Sequence, residues 1–181
     1  LGSASVADPL FEFILGSEWL PAVIFFQILC LGMMLYPIHA FNLNILNVYG
    51  RSDLFLKLEL IKKSIAVFSI LFAFQFGVIG LVWSYVFASF ASLFVNMYYS
   101  SRIIEYPIKE QFQDLIVTLF ISASVAIVMY NLQLHLHQLG SLLQFSITVV
   151  FGSLLYIFIN FLNKKSPIHE SLILFKNRIS R

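Results

Sequence analysis

The sequence predicts an all-α, polytopic transmembrane helix bundle of about five spans. Sixty per cent of its 181 residues are apolar and only 11% are charged, whereas soluble domains are nearer half apolar with about a quarter of their residues charged. The charged residues also leave three long gaps, because residues 19–50, 64–101 and 115–163 contain none. One helical span needs about 20 residues. These gaps of 32, 38 and 49 residues therefore predict one, two and two spans.

The first gap predicts one long span with a kink. Pro21, just after Trp19, suits the first turn of a helix, and Gly50 suits a helix stop. A helix of this length exceeds the thickness of the hydrocarbon core, so we expect it to tilt. Pro37 lies inside the span and is expected to kink it, because proline removes a backbone hydrogen bond.

The second gap predicts two spans joined by a tight turn. Ser52 and Asp53 are favourable residues at the start of a helix, so we expect a helix to begin there, enter the membrane and run as the second span to about residue 75. Gly77 and Gly80 are expected to form the hairpin, since glycine accepts turn conformations that other residues avoid. The third span then follows to about residue 99.

The third gap predicts the last two spans, over about residues 115–132 and 142–162. In the last span, Thr148 and Gly152 are four residues apart, a spacing of small residues that is typical of close helix packing in membranes. Residues 163–181 mix apolar and basic residues and are expected to form an amphipathic helix on the membrane surface.

All eleven Lys and Arg residues lie on one side of this predicted topology. They fall at residues 51–63, in residues 101–114 and in residues 163–181, whereas residues 1–18 and the two other turns contain none. Cytoplasmic loops carry the excess of Lys and Arg, so residues 101–114 are expected to be a cytoplasmic connection and residues 163–181 a cytoplasmic tail. The chain then begins outside and lacks an initial Met. We interpret residues 1–18 as the periplasmic end of a preceding span and its connection.

Composition also argues against several functions. The net charge of +2 and the absence of a basic cluster argue against nucleic-acid binding. No charged residue lies near the middle of a predicted span, which argues against an intramembrane protease or a carboxylate proton relay. His135 and His137 are two residues apart in a turn, with no Cys or acid beside them, so we expect no metal site. No cofactor and no enzymatic activity are expected.

Uncharged polar residues inside the spans are the candidates for a substrate cavity. Gln27, His39 and Asn42 fall within an arc of about 120° on an ideal helix, and Asn96 ends a polar row in the third span. They would line a hydrated path through the membrane. The alternative is that they bond neighbouring helices, or backbone carbonyls that Pro37 leaves free.

A group of basic residues lies at the cytoplasmic entrance of the second span. Lys62 and Lys63, with Lys57 nearby, would either anchor the helix against anionic lipid headgroups or bind a phosphate of the substrate.

Four segments resemble bacterial polysaccharide flippases, the exporters of O-antigen, colanic acid and exopolysaccharide in the multidrug/oligosaccharidyl-lipid/polysaccharide superfamily. They are Asp-Pro-Leu at 8–10, Ile-Leu-Gly-Ser-Glu-Trp-Leu-Pro-Ala at 14–22, Tyr-Gly-Arg-Ser-Asp-Leu-Phe-Leu-Lys-Leu-Glu at 49–59, and Phe-Gly-Val-Ile-Gly-Leu at 76–81. Such proteins have two six-helix lobes and a terminal helix pair. The resemblance implies that residues 19–100 are three spans of the C-terminal lobe and that residues 115–162 are the terminal pair. The N-terminal lobe of this two-lobe transporter would precede Leu1.

The resemblance implies translocation of a repeat unit linked to undecaprenyl pyrophosphate across the bacterial inner membrane by alternating access, in contact with membrane lipids. One alternative is a drug/cation antiporter of the same superfamily, which usually needs a buried carboxylate. Another is a membrane-embedded glycan polymerase or ligase, which usually has large Arg-rich periplasmic loops. A structural anchor is a further alternative that the kinked, polar first span disfavours.

Overall fold

The part of the chain that the computed structural model describes, residues 1–104, 106–136 and 138–162, is all-α. The predicted tail at 163–181 lies outside these residues. Without any strand, the described residues form the following helices in chain order: α1 Gly2–Ser5, α2 Ala7–Ile14, a 3₁₀ helix Ser17–Ala22, α3 Val23–Met33, α4 Tyr36–Val48, α5 Ser52–Ala73, a 3₁₀ helix Phe74–Phe76, α6 Gly77–Ser100, α7 Ile108–His135 and α8 Ser141–Leu162.

Within the described ranges, four helical segments are long and apolar enough to cross a membrane: Ser17–Val48, Ser52–Ser100, Ile108–His135 and Ser141–Leu162. The second of them, with 49 residues, contains α5 and α6, of 22 and 24 residues. The ammonium of Lys57 in the first turns of α5 lies 5.6 Å from the ring centre of Tyr99 at the end of α6. The two helices are therefore antiparallel, and the prediction of a membrane helix bundle is confirmed.

The first membrane segment is broken in its middle. Helix α3 ends at Met33, and α4 begins at Tyr36 with Pro37 in its first turn. Proline has no backbone N–H to continue the hydrogen bonding of α3, so the helix stops just before it. On the other side of the break, a Cβ added to Gly32 would lie 2.6 Å from the ring of Tyr85. Gly32 thus allows α3 to approach α6 closely.

Two boundaries differ from those expected. Helix α7 begins at Ile108 and not near residue 115, directly after Pro107. The charged residues of its first two turns belong to a helix that extends past the apolar stretch, so the helix begins within the segment expected to be a connection. In the hairpin, the chain turns at Phe74–Phe76 and Gly77 takes a positive φ of 67°. Gly80 lies inside α6, where a Cβ would come within 2.6 Å of the Phe76 Cβ.

The last two long helices pack closely together. Thr148 is fully buried, and a Cβ added to Gly152 would overlap the thioether of Met129 in α7. Met129 also packs with Val6 and Val125 in one of the hydrophobic clusters of the described chain. Close packing through Thr148 and Gly152 is confirmed. The short helices α1 and α2 contact α7 and α8 respectively and fill the space beside them.

Candidate functional site at the broken helix

The break between α3 and α4 faces a polar stretch of α6. At the break the carbonyl of Gly32 receives only a long backbone hydrogen bond, 3.4 Å from the N of Leu35. The hydroxyl of Ser89 in α6 donates to the same carbonyl at 2.8 Å. A carbonyl at a helix break is thus bonded by a side chain of another helix, and the break is tied to α6.

His39 extends this connection across the interface of α4 and α6. Its Nε2 lies 3.3 Å from the Ser89 hydroxyl, and the Asn96 amide nitrogen lies 2.9 Å from its Nδ1. Because the Ser89 hydrogen is already donated to Gly32, Ser89 accepts from Nε2–H, while Asn96 donates to Nδ1. The partners fit the neutral imidazole with its hydrogen on Nε2.

Two asparagines beside this network have buried atoms without partners. Asn42 and Asn96 are 2% and 1% exposed. Neither amide atom of Asn42 has a hydrogen-bond partner among the residues described, and the Oδ1 of Asn96 lacks one as well. Each such atom costs about 1–3 kcal/mol when buried. The described fold therefore buries three polar atoms here without hydrogen bonds that would offset the free-energy cost.

A pocket of about 300 Å³ adjoins Asn42. It lies between α4, the end of α6, the connection and the start of α7, and its lining combines polar and apolar side chains: Pro37, Ile38, Phe41, Asn42, Met97, Tyr106, Gln111, Asp114, Leu115 and Thr118. Asn42 is thus both a buried, unpartnered amide and part of a pocket wall.

Hydrogen bonds fix the wall of this pocket opposite α4. The Tyr106 hydroxyl donates to the Asp114 carboxylate, and the Gln111 side-chain amide donates to the Tyr106 carbonyl at 2.9 Å. Burial, and after it the Asp114 carboxylate, raises the pKa of Tyr106 to about 12. The phenol therefore keeps its proton, and remains a donor, throughout the physiological range.

The structure brings together three of the four residues proposed for a cavity. His39 and Asn96 are bonded to each other, and Asn42 lies one turn further along α4. Gln27 is separate, because it belongs to α3 on the other side of the break and its side-chain amide donates to the Ala4 carbonyl at 3.1 Å. His39, Asn42 and Asn96 form the candidate site, while Gln27 attaches α3 to α1.

The two lysines proposed for a phosphate differ in their surroundings. Lys62 forms an ion pair with Glu59, and its side chain is only 14% exposed. Lys63 is exposed and forms no ion pair within the described ranges. Lys63 is therefore the better placed of the two to meet a soluble or lipid-linked anion.

Sequence reasoning did not select three of the pocket residues: Tyr106, Gln111 and Asp114. They fell in a stretch interpreted as a cytoplasmic connection, where polar residues are unremarkable. The available signal was Pro107, since proline is favoured at the beginning of a helix, and a helix from this point would carry Gln111 and Asp114 on its first turns.

Comparison with known proteins gives no match, since the chain matches no protein-family model, no curated protein and no solved structure. Residues 1–104, 106–136 and 138–162 also contain no group of three or more His, Cys, Asp or Glu side chains that would hold a metal ion. The functional groups of the candidate site and its pocket are thus amides, hydroxyls, one imidazole and one carboxylate within an apolar helix bundle.

Proposed function

We propose that this chain is the C-terminal part of a flippase that moves an oligosaccharide linked to undecaprenyl pyrophosphate from the cytoplasmic to the periplasmic leaflet of the bacterial inner membrane. The observation that carries the proposal is the polar site at the broken helix: His39, Ser89 and Asn96 join α4 to α6, and Asn42 remains unpartnered beside a pocket. The family resemblance of the sequence supports the same function.

A glycan headgroup needs such a site to cross the membrane. The hydrocarbon core is about 30 Å thick, and sugar hydroxyls lose their hydrogen bonds to water unless a protein supplies replacements. Polar residues in membrane helices are costly and are generally functional. Asn42 offers a free donor and a free acceptor, while His39 and Asn96 add groups that can exchange partners.

The break in the first segment supports a mechanism of alternating access. Transporters place substrate sites at discontinuous helices, around which repeats or helix bundles rock. Here the carbonyl of Gly32 and the ring of His39 both bond to Ser89, so bending at the break would change the polar contacts of α6 directly. The N-terminal lobe would form the other side of the cavity.

Orientation and location belong to the same proposal. The distribution of Lys and Arg favours a multi-pass protein with a cytoplasmic C-terminus. Lys63, in the middle of α5, would then be reached by a substrate that is loaded from the cytoplasmic side, and would attract its pyrophosphate as a point charge.

The test is glycan display in a strain that lacks the native gene and carries the full-length protein. Asn42→Leu should abolish display with an unchanged protein level, because Asn42 forms no hydrogen bond within the described fold and leucine inserts into membranes readily. Asn44→Leu is the matched control, since Asn44 is exposed on the same helix. Normal display with Asn42→Leu, measured beside an immunoblot, would remove this site from the substrate path.

A further inference from the structure

We infer that the pocket between α4 and α7 binds a single pyranose ring of the carried glycan on the cytoplasmic side. The inference rests on the proposed function and adds to it a defined subsite with its own ligand chemistry. It depends on three properties of the pocket: an unpartnered amide, a carboxylate without a cation, and an apolar wall.

The amide of Asn42 matches a pair of neighbouring sugar hydroxyls. Its nitrogen donates and its oxygen accepts, and both lack a partner in the described fold. Two adjacent hydroxyls of a pyranose ring provide one acceptor and one donor at matching spacing. Because both atoms are buried, the Asn42 amide would have to turn toward a ring in the pocket for them to gain the partners they lack.

The carboxylate of Asp114 gives the pocket its selectivity. One of its oxygens accepts from the Tyr106 hydroxyl, and the remaining lone pairs are available to sugar hydroxyls. None of the described lining residues is Lys or Arg, so a phosphate would meet a negative charge without compensation. The pocket therefore favours the sugar and excludes the pyrophosphate of the same substrate.

The other side of the pocket suits the C–H face of a ring. Phe41 and Ile38 from α4, with Met97 and Leu115, form an apolar surface beside the polar groups. A volume of about 300 Å³ lies at the small end of the range for ligand pockets, which fits one ring better than a chain of several.

The polar wall is also positioned before a ligand arrives. The Thr118 hydroxyl donates to the Asp114 carbonyl at 3.0 Å, and Gln111 holds the Tyr106 carbonyl. Because these bonds fix the start of α7, a ligand does not have to order this wall on binding.

The experiment measures binding of methyl pyranosides to the full-length protein in lipid nanodiscs by saturation-transfer difference NMR, with a panel of neutral hexoses and N-acetylhexosamines. The unmodified protein and Asn44→Leu should bind at least one of them. Asn42→Leu should weaken that binding by about tenfold or more. Thr118→Trp should do the same by filling the pocket from α7, where Thr118 is exposed.

Several outcomes would overturn the inference: no pyranoside binds, both variants bind as the unmodified protein does, or methyl phosphate displaces the pyranoside. If Asn42→Leu does not insert into the membrane, Thr118→Trp decides alone. The two proposals fail separately. If Asn42→Leu abolishes glycan display but the unmodified protein binds no pyranoside, only the subsite is removed. If the unmodified protein binds a pyranoside but does not restore glycan display, only the transport function is removed.

Discussion

The helices α3–α6 and the pair α7–α8 use their polar side chains differently. Along α7 and α8, many side chains donate to a carbonyl of their own helix four residues earlier: those of Thr118, Ser124, Asn131, Ser146, Thr148 and Asn160. In α3–α6, Ser64, Ser84 and Ser100 likewise donate to their own helix. The bonds of His39 with Ser89 and Asn96, however, join different helices. A bond between the two terminal helices occurs near the end of α7 and the start of α8, where Gln144 donates to the Gln133 carbonyl.

This contrast indicates which polar residues respond to motion. A hydroxyl bonded to its own helix keeps that bond wherever the helix moves, whereas the bonds of His39 last only while α4 and α6 keep their relative position. The broken segment thus carries polar groups that can change partners, and the terminal pair is unbroken and closely packed. We interpret α3–α6 as the moving part and α7–α8 as the fixed part.

The largest expected effect is at the packed contact of the terminal pair. Gly152→Leu would place a side chain on the thioether of Met129, and overpacking of this kind costs about 1–3 kcal/mol. The midpoint of thermal unfolding in detergent should fall, and Met129→Ala in the same chain should restore part of the loss. Gly140→Leu is the control, because a Cβ there meets nothing within 4 Å. Equal midpoints for the two leucine variants would mean that the pair is not closely packed.

A smaller effect is expected at the broken helix. His39→Leu removes hydrogen bonds to Ser89 and Asn96 and should cost about 1 kcal/mol. The double variant His39→Leu/Ser89→Ala should lose less free energy of unfolding than the sum of the losses in the two single variants, because the two residues share a bond. Thr148→Val provides the comparison in α8, where the lost bond is to the residue's own helix. If Thr148→Val destabilises the protein as much as His39→Leu, the distinction between the two regions fails.

Much of this fold could be predicted from the sequence. Charge-free gaps located the membrane helices, because a span must exclude charge, and Pro37 marked the break, because proline lacks the N–H that a helix interior needs. The start of α7 was missed for a related reason. Its first turns carry Lys109 and Asp114, and charge rules out a membrane position without ruling out a helix.

The candidate site could be predicted only in part. Gln27, His39 and Asn42 were expected on one arc of one helix, but the break at Met34–Leu35 changes the helical phase, and Gln27 bonds elsewhere. His39 and Asn96 are 57 residues apart in sequence. Their contact depends on how α4 and α6 are rotated against each other, which the periodicity of either helix alone does not determine.

Relative motion of α4 and α6 can be measured through two distances in the full-length protein in nanodiscs, with Cys30 and any other cysteine replaced by Ala. Spin labels at Tyr36 and Phe87, both exposed, report on α4 and α6, and labels at Phe120 and Leu154, also exposed, report on α7 and α8. Double electron–electron resonance should give two distance populations for the first pair and a single narrow one for the second. A single narrow distance for the first pair, or two populations for the second, would contradict the assignment of α3–α6 as the moving part and α7–α8 as the fixed part.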